Sequence, residues 1–487
     1  MTEPASVRSR LGGLWAPVVH LSNNPLSLVG VILVTTSTVF WIFLLPASFG
    51  HQVENPYLGI LGFLILPAVF FLGLGLIPLG IFLRFRKERK RGSYPTDFPP
   101  VNLRNPDFRR LLSFVGVATI LNIVIGAQAS YTAVGYMETT TFCGRTCHTV
   151  MRPEYAAYQN SPHSRVGCVQ CHIGPGASWF VRSKLSGTWQ VFAVTFNTFE
   201  RPIPTPVRNL RPARETCEAC HWPDKFSEDR LRVIEKFGDD ESNTATKSVL
   251  LMRIGGGKRG PGIHGRHLGP GIRVRYRPDD ESRQKISWVE YADGAGRVEV
   301  YTSPDAKEDQ AGRQPLREMD CVDCHNRPTH TFEIPERAVD HAMSNGEIAR
   351  DLPGVKKKSV ELLKAAYPSN EAASSAIPAA FERYYRESYP DVYARSRAEI
   401  ERSGRAVTAI YNRNVFPDMK VAWGTYPNNL GHSDFPGCFR CHDDQHAAKS
   451  GRTISQDCNS CHQLLAMDEP APKILVDLGL EAAPGQQ

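Results

Sequence analysis

Twelve cysteines and fifteen histidines carry most of the chemistry legible in this chain. Every cysteine belongs to a pair, and a histidine directly follows the second member of each pair. The groups are Cys143-Cys147-His148, Cys168-Cys171-His172, Cys217-Cys220-His221, Cys321-Cys324-His325, Cys438-Cys441-His442 and Cys458-Cys461-His462. Five read C-x-x-C-H. At that spacing two thiols add across the vinyl groups of a haem, and the next residue offers its imidazole to the iron. The first group, C-G-R-T-C-H, is one residue longer; it is read as a sixth haem site, with a disulfide or a vacant site as the alternative. Structural zinc uses similar short spacings, and disulfides form outside the cytoplasm. Neither requires a histidine after every second cysteine. The expectation is six covalently bound c-type haems.

Iron in a low-spin c-type haem takes a second axial ligand, usually His or Met. Nine histidines remain after the six proximal ones. His163 lies five residues before Cys168, His330 five after His325, His432 six before Cys438 and His446 four after His442. His264 and His267 share the Gly-rich segment GPGIHGRHLGPG. A lone histidine is more often a hydrogen-bonded surface or core residue; the demand for ligands promotes these. His163, His264, His330, His432 and His446 are the expected distal ligands, with His267 and His341 behind them. Met151, three residues after His148, is the candidate at the first haem, which is otherwise five-coordinate.

The elements that must position these groups divide at about Gly135. Before it lie three uncharged apolar runs, 26–45, 58–83 and 111–135, each long enough to cross about 30 Å of hydrocarbon as a helix. The connection between the second and third carries RFRKERKR (84–91), Arg104, Arg109 and Arg110; that between the first and second, 46–57, has no Lys or Arg. Positive charge on the inner side makes the N-terminus and the basic loop cytoplasmic and everything after Gly135 external. A cleaved signal peptide is the alternative for the first run, but no small-x-small site follows it. No run contains a histidine, which argues against a haem b buried in the membrane.

Beyond the runs, residues 226–318 lack cysteine, and 272–302 alternate apolar and polar about the turn Asp293-Gly294-Ala295-Gly296, the pattern of an antiparallel hairpin. This insertion is expected to cover haems and contribute His264. Residues 355–412 are charged with helical periodicity, a spacer before the last two haems. The Pro/Ala/Gly-rich tail after Met467 reads as mobile. The expected fold is a membrane-anchored multihaem cytochrome c: three N-terminal transmembrane helices, then a mainly α, haem-packed periplasmic domain with a small β insertion. In order these are a cytoplasmic N-terminus (1–25), a three-helix anchor (26–137) with its basic loop (84–110), and a haem domain with three haems (138–225). The β-containing insertion (226–318), a C-terminal haem region with three haems and the helical spacer (319–466), and the tail (467–487) follow.

Composition agrees. Mean hydropathy is −0.30 because the external part is polar and Arg-rich. The formal charge is +7; six haems with their propionates take it to about +1 oxidised and about −5 reduced, since cofactor charge belongs in the sum. The Arg excess matches propionates, and no nucleic-acid partner is expected.

The sequence resembles the NapC/NirT/NrfH family of membrane multihaem cytochromes from the third run to about Lys225. The resemblance lies in the haem group just after a membrane helix, nearby Met151, SPHSRVGCVQCH, WFVRSKLSG and PIPTPVRNLRPARETCEACHWP. The segments CVDCHNRPTHTF, GHSDFPGCFRCHDDQH and ISQDCNSCH resemble larger, ImcH-like members with extra C-terminal haems. The resemblance implies a quinol dehydrogenase in a bacterial inner membrane, taking electrons from menaquinol or ubiquinol beside the first haem. It implies that Lys184 contacts the quinol and that His163 ligates a haem other than that of the motif it precedes. Two departures concern the first haem: three runs where simple members have one, and C-x-x-x-C-H with Met at His+3.

A quinol gives up two electrons and two protons, and a haem accepts one electron at a time. A cation near the quinol oxygen stabilises developing anion, a role that suits Lys184; the alternative is pairing with a propionate or a lipid headgroup. Glu154, Tyr155 and Glu200 are candidate proton acceptors. The expected function is quinol oxidation at the periplasmic face, with electrons passing through about six haems to a periplasmic cytochrome or reductase in anaerobic or metal respiration. The alternatives are a passive electron-transfer subunit of a larger complex and a terminal reductase with an open haem. The two extra spans would bind a membrane partner subunit or shape a quinol entrance.

Overall fold

The structure, a computed structural model, describes residues 17–50 apart from 19 and 23, and 64–96, 106–146, 148–207, 210–221, 228–255, 262–306 and 314–481. The chain forms two compact units, Met1–His148 and Thr149–Gln487.

The first unit contains three long helices, α1 (Pro25–Gly50), α2 (Leu66–Arg91) and α3 (Pro106–Met137). They coincide with the three apolar runs, except that 58–63 lie outside the described residues. Among the described residues, α2 is the one helix long and apolar enough to cross a membrane. Helices α1 and α2 meet backbone to backbone. A Cβ on Gly30 would stand 2.7 Å from the Gly73 carbonyl oxygen, and one on Gly73 2.8 Å from that of Gly30. Ser27 Oγ donates to the Ile77 carbonyl across the pair at 3.0 Å. Val34, Trp41, Leu66 and Phe70 pack beside the crossing, with Ile125 of α3 against them. The basic run 84–91 does not begin a loop; it is the last two turns of α2. Arg89, Lys90 and Arg91 close the helix, where cations complement exposed carbonyls. Gly92 stops it at φ 65°, a left-handed conformation that costs glycine little.

The boundary between the units falls at the start of α4 (His148–Gln159), whose residues from Thr149 on belong to the second unit. The haem motifs then ride on very short elements: α5 (Cys168–His172), α7 (Ala213–Cys217), α9 (Cys321–Cys324) and the 3-10 turns Gly437–Arg440 and Cys458–Ser460. Longer helices lie between them: α6 (Ala177–Thr195), α10 (Pro335–Ser344), α11 (Val355–Lys364), α12 (Asn370–Ser388), α13 (Pro390–Arg395) and α14 (Arg397–Asn414), with the seven-residue α8 (Gly262–Leu268). The largest core is made by α10, α11, α12 and α14. Val339, Leu363, Ile377, Phe381, Tyr385, Val407 and Ile410 are fully buried there, with Phe237 against them. No motif residue enters that core, so the helical spacer is a packed body of its own.

Two sheets complete the unit. Strands β1 (Arg230–Phe237) and β2 (Ala245–Met252) pair antiparallel, and β8 (His462–Glu469) adds to β2. The second sheet has the order β6-β3-β4-β5-β7: β3 Arg273–Pro278, β4 Ile286–Ala292, β5 Val298–Thr302, β6 Arg317–Glu318, β7 Ala447–Ala448. The expected hairpin is β4–β5, in register from Trp288↔Thr302 to Ala292↔Val298. The insertion is not closed at 318, because β7 and β8 come from the C-terminal haem region. The tail expected to be mobile after Met467 is instead built in. Strand β8 runs to Glu469, α15 (Lys473–Asp477) follows, and Leu475, 1% exposed, packs with Val249 and Ala466. Residues 482–487 lie outside the described residues.

Candidate haem-binding site

Five histidines from the motifs each face a second histidine. The ring centres are 5.9 Å apart for His221 and His163, 6.1 Å for His172 and His330, and 6.4 Å for His325 and His264. They are 5.8 Å apart for His442 and His267, and 6.2 Å for His462 and His432. An iron held by two opposed imidazoles, with metal–nitrogen bonds of about 2 Å, puts ring centres about 6 Å apart. The donor set therefore fits c-type haem: two cysteines, one proximal imidazole and one opposed imidazole at each of five motifs. It does not fit zinc, because among the described residues no three His, Cys, Asp or Glu side chains gather to hold an ion. The described cysteines form no disulfide.

Among the described contacts, a backbone carbonyl holds the second ring nitrogen of four of these imidazoles. His163 Nδ1 donates to Pro328 (3.3 Å), His330 Nδ1 to Glu154 (3.0 Å), His267 Nδ1 to Ile263 (2.7 Å) and His442 Nδ1 to Ser455 (2.8 Å). A carbonyl only accepts, so the proton sits on Nδ1, which leaves the Nε2 lone pair available for an iron. Burial holds His172, His264, His267, His325, His330 and His462 below the usual histidine range, which keeps them in the neutral, ligating form. Burial also pushes the Cys324 thiol up to about 11 and the Cys441 thiol up to about 12. Charge is costly at these sulfurs, whereas a thioether carries none.

The sheets position the rings. Strand β8 begins at His462, opposite Met252 of β2. Just past β2, Arg253 N–H donates to the Cys461 carbonyl, and the Ile254 carbonyl accepts from His264 N–H, both at 2.8 Å. The end of β2 thus holds both the sixth motif and α8, which bears His264 and His267. In the other sheet, Tyr276 of β3, 1% exposed, donates its hydroxyl proton to Asp323 inside the fourth motif at 2.6 Å.

The remaining expected residues fall as follows. His446 is not opposite an iron position. It is 2% exposed, with Nε2 2.9 Å from the Ile286 carbonyl and Nδ1 2.9 Å from Asp443, so neither nitrogen is free; the ring facing His442 is His267. His341 pairs with Glu333 at 2.5 Å. Glu154, expected as a proton acceptor, is committed elsewhere: its carboxylate lies 3.2 Å from both Arg327 and His330 Nδ1. Tyr155 stacks on Tyr158, and Glu200 is exposed. Met151 packs against the cluster of Val150, Ala157, Phe332, Phe416 and Met419. Lys184 lies in α6, but its side chain is outside the described residues, as are Cys147 and the side chain of His148. Cys143 sits in a π-helical turn, Phe142–Thr146.

Residues 106–203 match the N-terminal region of the NapC/NirT cytochrome c family. The chain is 41% identical over 465 residues to the cytochrome c-type protein ImcH of Geobacter sulfurreducens, covering 94% of this chain and 90% of that protein. It is 28% identical over 112 residues to the cytochrome c-type protein NrfH of Wolinella succinogenes, covering 22% of this chain and 63% of that protein. No solved structure gives a significant match.

Proposed function

Because this chain belongs to the NapC/NirT family of multihaem c-type cytochromes, electron-transfer proteins with covalently bound haem, we propose that it oxidises membrane quinol at the periplasmic face of the inner membrane. Electrons then pass one at a time through six haems to a periplasmic acceptor. The observation that carries this reading is the set of five imidazole pairs with ring centres 5.8 to 6.4 Å apart. Haem bound there supplies one-electron redox chemistry without substrate binding. Sites closed by two imidazoles leave no position for a substrate, which disfavours a terminal reductase at these five. The proximal ligands are His172, His221, His325, His442 and His462, and the distal ligands are His330, His163, His264, His267 and His432. His148 is the proximal ligand of the first haem, with Met151 the candidate opposite it.

Helices α1, α2 and α3 are the membrane anchor, with the basic end of α2 on the cytoplasmic side. Lys184 of α6 is the cation that stabilises negative charge developing on the quinol oxygen. Tyr155 and Glu200 are the proton acceptors, since Glu154 is engaged by Arg327 and His330.

Rapid mixing of the detergent-solubilised protein with a soluble menaquinol analogue, followed through the haem absorption bands, tests this. Fast reduction, blocked by a quinone-site inhibitor, is expected. Lys184→Ala is expected to slow it by about a hundredfold while dithionite reduction keeps its rate. No reduction by quinol, with full reduction by dithionite, sinks the dehydrogenase reading and leaves a passive electron carrier.

A further inference from the structure

The five ring pairs are interlaced, and the interlacing divides them into two sets. His163, just before the second motif, faces His221 of the third. His330, just after the fourth, faces His172 of the second. The Asp320 carboxylate accepts from Cys321 N–H at 2.6 Å and from Ala213 N–H at 2.8 Å, so one side chain caps both α9 and α7, the helices of the fourth and third motifs. The second, third and fourth motifs are thereby tied into one set. The fifth and sixth form another. His432, just before the fifth, faces His462 of the sixth, and Gln456 N–H donates to Asp444 at 2.9 Å between them.

The fourth and fifth motifs join the two sets through two devices. The first is α8, where His264 faces His325 of the fourth motif and His267 faces His442 of the fifth. Three residues apart on a helix, the two side chains share a face with Cβ atoms about 5–6 Å apart. The second is Arg440, which lies inside the fifth motif. Its Nη2 donates to the Asp323 carbonyl inside the fourth motif at 2.7 Å, Nη1 to the Arg283 carbonyl at 2.7 Å and Nε to the Gly437 carbonyl at 2.8 Å. The planar guanidinium engages three carbonyls at once, a rigid fork that an ammonium cannot reproduce.

We propose that electrons cross from the Cys168, Cys217 and Cys321 groups to the Cys438 and Cys458 groups at this junction, and that Arg440 is the positioning residue that sets its width. Each crossing moves one electron: the donor iron goes from ferrous to ferric, the acceptor from ferric to ferrous, and no bond is made or broken. Electron tunnelling falls steeply with separation, so a loosened fork slows the crossing without changing any iron's ligands. The inference rests on the electron-transfer reading but not on quinol as the donor.

Pulse radiolysis of the full-length, haem-loaded protein tests it, delivering less than one electron per molecule and using no quinol. His432→Met serves as the reporter background, because methionine ligation raises the potential of the sixth group and gives it its own absorption band. Electrons landing in the first set then redistribute to that group across the junction. With Arg440→Met added, the slow part of this redistribution is expected to lengthen about ten- to hundredfold. Haem content, low-spin spectra and the redistribution within the first set stay as in the reporter background. Arg440→Lys falls between, and its rate decides the matter if Arg440→Met loads poorly with haem. Arrival at the reporter's own rate in both variants, or a slowing shared by every phase, overturns the junction. Failure of quinol to reduce the protein, with the radiolysis result intact, overturns the quinol reading and leaves the junction standing.

Discussion

The contrast between His267 and His446 shows what spacing along the chain can and cannot specify. A proximal histidine is tied to its cysteines by covalent chemistry, so its position is written in the sequence. A distal histidine meets the iron through space, and nearness in sequence is a poor guide to it. His446, four residues after His442, looked the better partner, yet Asp443 and the Ile286 carbonyl hold both its nitrogens. His267 comes from a helix 175 residues earlier in the chain; its Nδ1 bond to Ile263 at 2.7 Å leaves the other nitrogen unprotonated, and its ring centre lies 5.8 Å from that of His442. His163 was legible, because the family resemblance already implied that it serves another motif. His267→Ala is therefore expected to convert one haem to the high-spin state, seen in the absorption and electron paramagnetic resonance spectra. His446→Gln is expected to leave the spin state of every haem as in the parent and to lower stability by about 1–3 kcal/mol, the cost of buried polar groups losing a partner. A newly high-spin haem in His446→Gln and none in His267→Ala would reverse the assignment.

At the scale of elements, what the sequence revealed depended on whether an element is defined by its own residues. Alternation about Asp293-Gly294 disclosed β4 and β5, a local hairpin. Strand β8 was hidden, because His462–Glu469 becomes a strand by pairing with β2, more than two hundred residues away. Three helices of the first unit were legible as apolar runs, but hydropathy does not say how they touch. Gly30 and Gly73 do, since each stands where a Cβ would meet the other's carbonyl oxygen. In the proposed membrane anchor, helices would associate by close packing rather than by expelling water, so such contacts would carry much of the attraction. Gly73→Leu should therefore part α1 from α2, and Gly75→Leu, with nothing within 4 Å of its Cβ, should not. The expected result is a lower midpoint for heat-induced loss of the monodisperse detergent-solubilised protein in Gly73→Leu, and a parent-like midpoint in Gly75→Leu. Equal midpoints would mean that the α1–α2 crossing contributes little.

For the whole molecule, the second unit combines two ways of holding a chain together. Residues 335–415 and the β1–β2 hairpin are held by an apolar core. Phe381, Tyr385, Ile377 and Leu363 are fully buried, each contributing about 1.5–3 kcal/mol by leaving water. Buried polar bonds close the hairpin onto it: Phe237 N–H donates to Asp340 at 3.0 Å and Asn243 Nδ2 to the Leu352 carbonyl at 2.8 Å, while Lys356 of α11 holds the same Asp340 of α10. The haem motifs have less support: among the described residues Cys441 touches the edge of the small β3–β4 cluster and Asp323 accepts from Tyr276, but no motif residue enters the large core. Helices of four or five residues lie far below the length at which an isolated helix persists in water, and the facing histidines hold one another only through an iron. Haem is thus expected to be a structural requirement for one part of the unit and dispensable for the other. Protein produced in cells lacking the haem-attachment machinery should be cut early by a dilute protease within 160–221 and 430–462. A fragment spanning 335–415 should outlast the rest, read by mass spectrometry of the digest over time. The haem-loaded protein should resist at all three places. If the haem-free protein is instead degraded throughout at one rate, the helical core does not fold without the haems, and the two halves of the unit depend on one another.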